Sequence, residues 1–395
     1  MAVATQQRQT VMLQGVEVPA QAVQPELFYA MTQRKQAQNK VALFAGMGTT
    51  DNIKIRQQGI IAGLELRVFG TVVIAAASSS AVTRRWPLDL VKKVRVNVNG
   101  SSNLINCSGA KLKARMMMEP DFNDRGVTKT FAAVAEQQGT LMLNAEDQGT
   151  SGANKLAPGA TQGTAGTYTV DLYYFIPIAA DQITLAGAIF AQSAATEINM
   201  EIDWATQAET VPQTSGTVTP SFSYSVQPII YAIPSVNGMQ IVPDLREFHS
   251  LIEGRSNVLA NGDNDVDMIG FGAGRKLLRA FGQVWNGTAP QSPLVVNETN
   301  YGPLSWKYGL NEIPEVIPSG RHMRYQLDRL VDADIGYLHG FWGFDFANKF
   351  AMRDVVDGNR VTNLRLGLNI PSGVTLTNAT LEFVQETLSV APAGA

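Results

Sequence analysis

Thr167–Trp204, TYTVDLYYFIPIAADQITLAGAIFAQSAATEINMEIDW, decides the fold. Tyr168, Val170, Leu172 and Tyr174 recur at every second position, the period of a strand with one buried face. Pro177 ends that strand, because proline has no N–H to give to a ladder. Asp181 is positioned to cap a short helix through Leu185, Ala188 and Ile189. A second strand follows, with Ile198, Met200 and Ile202 inward and Asn199, Glu201 and Asp203 outward. A related pattern returns later. Tyr337–Phe346 reads as an aromatic strand, Ala347–Val356 as a short helix and Val361–Ile370 as a strand. Asn199–Ile202 and Asn363–Leu366 lie 164 positions apart (363 minus 199). Tyr173 and Tyr337 share that offset, so the pattern predicts one β unit built twice.

The chain has 395 residues, enough for about two to three domains of roughly 150 residues each. Charged residues make up 16% and the net charge is −3, against a usual charged share of about 25%. A sequence-specific or general nucleic-acid binder would be expected to carry a basic domain with pI above about 9. Low charge with abundant Thr, Asn, Gln, Ala and Gly instead suits a surface buried against copies of itself. Cys107 is the only cysteine, which fits folding in a reducing compartment. The opening residues MAVATQQRQT show no apolar signal core. The five Asn-x-Ser/Thr sequons, at Asn99, Asn106, Asn286, Asn297 and Asn378, are therefore expected to stay unmodified. Gly59–Ala77 is the most apolar long window, but Glu65 and Arg67 interrupt it, and it reads as a strand rather than a membrane span.

Residues 1–40 read as an arm. Pro25 suits the first position of a helix that puts Leu27, Phe28 and Met31 on one face. Two readings stay open: packing on its own barrel, or docking on a neighbouring subunit or membrane through Arg8, Leu27, Phe28, Met31, Arg34 and Lys35. From Val41 onward the chain is β-rich. Leu64, Leu66 and Val68 alternate with Glu65, Arg67 and Phe69, and Val94, Val96 and Val98 with Arg95, Asn97 and Asn99. Asn99-Gly100 marks a turn. Further strands are expected at Lys111–Met118, Thr128–Val134, Thr140–Asn144 and Phe222–Ile233, with 145–166 a long exposed loop. Pro234–Pro243 reads as a linker and Asp244–Ile252 as a short helix. A second series follows at Lys276–Trp285, Leu294–Asn297, Arg321–Leu327, Tyr337–Phe346, Val361–Ile370 and Thr380–Ser389. Many short strands with Gly/Pro turns and no alternating helices argue sandwich or barrel. The expected division is an arm at 1–40, a first β unit at 41–235, and a linker with a second unit at 236–395.

Signals for chemistry are sparse. Gly270-Phe271-Gly272-Ala273-Gly274 resembles part of a phosphate loop, but Arg275 stands where the dinucleotide fingerprint needs glycine. Asp263, Asp265 and Asp267 are spaced like the start of a calcium loop, yet Met268 and Gly274 occupy the positions that should be Gly and Glu. They are the one weak metal candidate beside the simpler reading of a solvated acidic loop. His249, His322 and His339 form no metal-binding motif. No catalytic residue and no cofactor site are assigned. Cys107, in a turn-like stretch, reads as a structural thiol. The basic run Arg84, Arg85, Lys92, Lys93, Arg95, Lys111, Lys113 and Arg115 reads as the solvent face of two strands, with contact to lipid headgroups, nucleic acid or an acidic neighbour as the alternative.

Four passages carry a family likeness: WPLDLVKKVRVNVNG (86–100), LYYFIPIAADQITLAGAIFAQ (172–192), VNGMQIVPDLREFHSLIEG (236–254) and IPSGRHMRYQLDRL through NLRLGLNIPSGVTLTNATLEFV (317–384). In order and spacing they resemble the double jelly-roll major capsid proteins of membrane-containing tailless bacteriophages, the tectivirus group, to which adenovirus hexon is distantly related. The resemblance implies an all-β fold of two tandem eight-stranded jelly rolls, with short helices in the loops and an N-terminal arm. It implies a non-enzymatic homotrimer of pseudo-hexagonal outline that tiles an icosahedral shell around an internal lipid membrane and double-stranded DNA. Implied partners are copies of the chain, other capsid and vertex proteins, and the internal membrane through the arm. The implied location is the virion, after synthesis in the host bacterial cytoplasm. The rival from another class is an all-β carbohydrate-binding protein or glycoside hydrolase, which needs paired carboxylates and exposed aromatics in a cleft. Phe341, Trp342, Phe344 and Phe346 fall inside expected strands and read as core instead.

Overall fold

The computed structural model describes residues 10–390 apart from 14–15, 37–39, 77, 82–86, 100–102, 119–160, 163–164, 193–195, 212, 257–258, 269, 287–291, 294–301, 310–311, 320–321, 324–325, 327–340, 348–351 and 362. Eight principal strands build a first unit: β1 (Lys40–Leu43), β2 (Thr50–Ile55), β3 (Ile60–Ile74), β4 (Val91–Val98), β5 (Ile105–Cys107), β6 (Gly166–Pro177), β7 (Ile198–Trp204) and β8 (Val218–Tyr231). Eight more build a second: β9 (Glu247–Ser256), β10 (Gly262–Asp267), β11 (Arg275–Asn286), β12 (Leu304–Tyr308), β13 (Glu312–Ile317), β14 (Phe341–Asp345), β15 (Arg365–Ile370) and β16 (Thr380–Val390). The first unit pairs its strands as β1-β8-β3-β6 and β2-β7-β4-β5. The second pairs them as β9-β16-β11-β14 and β10-β15-β12-β13. Adding eight to each strand of one unit gives the other, so both are jelly rolls with the same wiring, and the fold is an all-β double jelly roll.

Alternation explains most strands. In β7, Ile198, Met200, Ile202 and Trp204 are buried, while Glu201 and Asp203 point out and bind Arg95 of β4 at 2.8 and 2.7 Å. In β6, Tyr168, Val170, Leu172 and Tyr174 are buried, and the strand ends at Pro177. β3 keeps Leu64, Leu66 and Val68 inside. Among the described residues, no helix is long and apolar enough to cross a membrane. Trp342 and Phe344 lie in the core of the second unit, Phe344 edge-on to Trp306 at 5.3 Å.

The repeat expected from the opening stretch holds at the level of elements. β6 and β14 occupy matching edges, and β7 and β15 matching central positions. Asn363 has φ +54° and sits in a turn before β15, whereas Asn199 lies within β7, so the residue register of that pair does not carry over; Tyr337 lies outside the described residues. A sharper register lies elsewhere. Shifting β3 onto β11 by 212 (279 minus 67) puts Arg67 on Arg279, Gly70 on Gly282 and Val73 on Trp285. Their partners on β8 and β16 then match at an offset of 161 (386 minus 225): Ser225 with Glu386, Phe222 with Phe383, and Thr219 with Thr380. The two glycines are needed for close approach. A Cβ on Gly70 would lie 2.2 Å from the Ser221 carbonyl oxygen, and one on Gly282 1.8 Å from that of Glu382.

Several expectations are corrected. Lys111–Met118 is not a strand but belongs to helix α2 (Gly109–Met117). Lys, Arg, Leu, Ala and Met favour helix, and the apparent alternation of Lys111, Lys113 and Arg115 arises in a segment buried on every side. Asp244–Ile252 is no helix, since β9 runs from Glu247 with strands on both flanks. Leu245, Phe248, Leu251 and Ile252 also fit a helical spacing, and in so short a stretch periodicity alone does not separate strand from helix. The stretch after Asp181 forms turns: Asp181 Oδ2 accepts from Thr184 N at 2.8 Å, and Leu185 (φ +56°) and Gly187 (φ +81°) take left-handed conformations that no helix continues through. Within Ala347–Val356, the described residues 352–355 are turns and bends, and Val356 begins a short strand against β11. His322, Met323 and Gln326 are helical rather than extended. Cys107 lies in strand β5, fully buried; burial, then the Glu253 charge, pushes its thiol well above the ordinary range. Thr128–Val134, Thr140–Asn144 and Leu294–Asn297 lie outside the described residues, as does most of 145–166.

Candidate functional site

Three regions bear on function: the acidic stretch, the N-terminal arm and the seam between the units. Asp263, Asp265 and Asp267 sit on β10, so the acidic stretch is a strand and not a loop. Alternate residues on a strand are about 6.6 Å apart along it, sharing one face. Asp265 is occupied by Lys307 Nζ at 2.5 Å and Arg365 Nη1 at 3.2 Å, and Asp263 accepts from Asn369 Nδ2 at 2.7 Å. Among the described residues no group of three His, Cys, Asp or Glu is arranged to hold a metal ion.

The described part of the arm, from Thr10 on, folds back on the chain. A hairpin (Thr10–Leu13 with Val16–Pro19) leads into helix α1 (Pro25–Met31), which has Pro25 and Glu26 in its first turn. Phe28 is fully buried in a cluster with Leu13, Ile60, Leu185, Phe190 and Val242. Gln24 N donates to the Val242 carbonyl at 3.1 Å, and Val242 N to that of Ala22 at 3.0 Å, tying the arm to the connection between the units. Leu27 is half-buried against the same cluster. Met31 is exposed, together with Met12, Tyr29 and Ile183. Arg34 and Lys35 are exposed on a short strand (Arg34–Gln36) beside β8, Arg34 lying 3.8 Å from Glu65. Arg8 lies outside the described residues.

The seam was not legible as a site. β5 of the first unit pairs in parallel with β9 of the second through Ile105–Leu251 and Asn106–Ile252, fusing one sheet from each unit into a continuous sheet. Helix α2 follows β5, packs on β6 and reaches β16 through its cationic side chains. Glu253 of β9 accepts from Ser108 N at 2.7 Å, placing a carboxylate at the N-terminus of α2, where the helix dipole favours it. Lys111 and Arg115 project one helical turn apart. Lys111 Nζ meets Glu382 at 3.0 Å, and Arg115 Nη2 meets Glu386 at 2.8 Å. Glu382 and Glu386 share one face of β16, because strand side chains alternate.

Glu386 is the hub. Arg279 Nη1 of β11 reaches it at 3.1 Å, and Arg279 Nε lies 3.2 Å from Asp345 of β14. His249 Nε2 lies 3.1 Å from Glu386 Oε1, and its Nδ1 lies 3.0 Å from the Pro177 carbonyl of the first unit. Trp285 Nε1 donates to Glu382 at 2.9 Å. Burial alone would push the Glu386 carboxyl up; the Arg115 and Arg279 charges and the His249 contact outweigh it and hold the group well below the carboxylate range. Burial raises Asp345, against the pull of Arg279 and with a further push from Glu386. Both carboxylates are buried, Asp345 with 2% and Glu386 with 0% of its side chain exposed. Lys111, Lys113 and Arg115 are thus buried, which corrects their reading as a solvent face. Arg95 and Lys92 do pair on the outer surface, Lys92 with Glu209 at 2.7 Å, and Arg84 and Arg85 lie outside the described residues. The missed signal was four residues of spacing on both sides, Lys111/Arg115 and Glu382/Glu386, separated by 271 residues of chain.

No family model and no curated protein matches the sequence. Solved structures do. The STIV major capsid protein aligns with 91% of this chain and 97% of its own at 13% identity and TM-score 0.63. A chain from the atomic structure of Sulfolobus turreted icosahedral virus aligns at 12% identity, with 91% of each chain covered and TM-score 0.63. The major capsid protein of bacteriophage PM2 aligns with 91% of this chain and 100% of its own at 10% identity and TM-score 0.45. The chain has the double jelly-roll fold found in viral major capsid proteins.

Proposed function

We propose that this chain is the major capsid protein of an icosahedral virus, a non-enzymatic subunit that closes into a homotrimer. The observation that carries the reading is the doubled wiring of its two units, set side by side by one shared sheet. Three copies place six similar units around one axis, and heterologous contacts that close at three-fold symmetry give a pseudo-hexagonal tile without open polymers. Capsid proteins with this fold in the solved structures support the role. We further propose a membrane-containing double-stranded DNA phage as the setting, with other capsid and vertex proteins as neighbours.

Light scattering on a sizing column tests the trimer. The expected species has three times 42.6 kDa, about 128 kDa, and persists on dilution; a stable monomer would overturn the reading. For the arm, the exposed side chains Met12, Tyr29, Met31 and Ile183 form an apolar rim around the cluster that holds Phe28. That rim, with Leu27 behind it, is proposed to face the internal membrane, since exposed apolar side chains suit a lipid surface. Cosedimentation of the wild-type protein with anionic lipid vesicles is the expected outcome, weakened by Met31→Glu; binding insensitive to that change would reject this orientation.

A further inference from the structure

The second unit's sheet β9-β16-β11-β14 is covered by the first unit at two places. Its β9 edge is covered by β5. Its outer face is met by the Lys111 and Arg115 side chains of α2 and by the first unit's Pro177 and Ala180, and residues 379–388 of β16 are buried without a break. Among the described residues, the matching sheet of the first unit has neither cover. On the far side of Arg34–Gln36 and β1, no strand pairs among the described residues. The residue register makes the difference concrete. Arg279 is 7% exposed and its counterpart Arg67 is 42% exposed. Trp285 is fully buried, and its counterpart Val73 is 40% exposed. Beside them on β6, Tyr173 is 48% exposed, and the Arg67 guanidinium lies over the rings of Phe69 and Tyr173 at 4.8 and 5.2 Å.

The second unit carries an unused version of the same cover. β13 corresponds to β5 and is the last strand of its sheet. It exposes Ile313 and Val316 at 51% and 52%, and Pro314 suits a strand left at an edge. The segment after it turns helical at His322–Met323, and Met323 Sδ accepts from Gly343 N of β14 at 3.5 Å. In the first unit, Met116 Sδ of α2 likewise accepts from Phe175 N of β6 at 3.2 Å. The charges are complementary. β13 contributes Glu315, while the edge without a strand partner contributes Arg34 and Lys35. Glu315 is half-buried, and burial raises its pKa, the condition a facing cation would relieve.

We infer that the face of β8 and β3 around Arg67 and Val73, with its edge at Arg34–Gln36 and β1, is the seat of a second copy of this chain, filled by that copy's β13 and the helical His322–Met323 that follows it. The seam inside the chain is then the template for the seam between chains, and the two alternate around the ring. This inference rests on the trimer reading and names the surface that makes it.

The test uses the full chain. Val73→Arg and Val316→Arg sit on opposite sides of the inferred contact, and Arg353→Glu, at a side chain 85% exposed and outside that contact, is the control. Buried interface anchors carry most of the binding energy, so each of the first two is expected to raise the trimer dissociation midpoint at least ~30-fold, with Arg353→Glu unchanged and melting temperatures preserved. Zero-length carbodiimide coupling of the wild-type trimer, followed by peptide mapping, should join Glu315 of one copy to Lys35 of another. A wild-type monomer would overturn the trimer reading itself. A wild-type trimer that keeps its midpoint in both folded variants would overturn the inferred surface alone. If either variant misfolds, a coupling map from the wild-type trimer without those links would overturn it.

Discussion

Glu386→Ala is expected to destabilise the chain by about 3–5 kcal/mol, because removing one partner of a buried ion pair leaves the others uncompensated. Here three groups lose their common acceptor: Arg115, Arg279 and His249. Two of these come from the second unit, and Arg115 comes from the first, so the damage falls on the seam. Urea denaturation measures it, and a loss under about 1 kcal/mol, the range of exposed pairs, would show that the network contributes little. Glu386→Gln keeps the shape and removes the charge, and it isolates the pH effect. The folded carboxyl is held well below its ordinary value, so the group stabilises the fold above the unfolded pKa of about 4.3. That stabilisation is lost as pH falls below this value toward the depressed folded pKa. Asp345 works the other way: its folded pKa is raised, so its contribution is greatest in acid and declines as pH rises through that folded pKa. Acid titration of stability should therefore show a steep wild-type decline below about pH 4.3, flattened in Glu386→Gln. Equal slopes in the two proteins would remove Glu386 from the account.

Trp204→Ala is expected to cost about 3–5 kcal/mol, the range for deleting a buried aromatic side chain. The ring closes one end of the first unit. It stands edge-on to Phe44 with centroids 4.8 Å apart and lies 5.3 Å from Tyr224, joining β7 to β8 across the two sheets. Its Nε1 donates to Asp51 Oδ2 at 2.7 Å, so the deletion also strips a carboxylate of its donor. Trp204→Phe keeps most of the packing and loses only that bond, and should cost about 1–2 kcal/mol. Equal losses in the two variants would assign the whole effect to the hydrogen bond with Asp51.

The two substitutions probe different kinds of legibility. Trp204 ends the stretch that set the fold, and its burial follows from the same period-2 pattern as Ile198, Met200 and Ile202. Glu386 lies in an expected strand, yet nothing in its local sequence marks a hub. Its partner Arg115 was read as facing solvent because three basic residues at alternate positions imitate a strand's outer face. Helix propensity at Ala110, Leu112, Ala114 and Met116 was the available counter-signal. β9 shows the opposite error: Leu245, Phe248, Leu251 and Ile252 fit a helical stripe, and only strands on both flanks hold that segment extended.

Residue patterning alone established that the chain is β-rich, which faces of β3, β4, β6 and β7 are buried, and that a pair of strands recurs in a second unit. Those properties are local, since alternation and turn chemistry act over a few residues. Only the tertiary structure decided that α2 is a helix, that its cations face Glu382 and Glu386, and that β5 joins β9 to fuse the units. Each depends on residues that meet across long separations in the chain, 271 of them between Arg115 and Glu386. At such distances, burial and charge pairing outweigh any preference written in the neighbouring sequence.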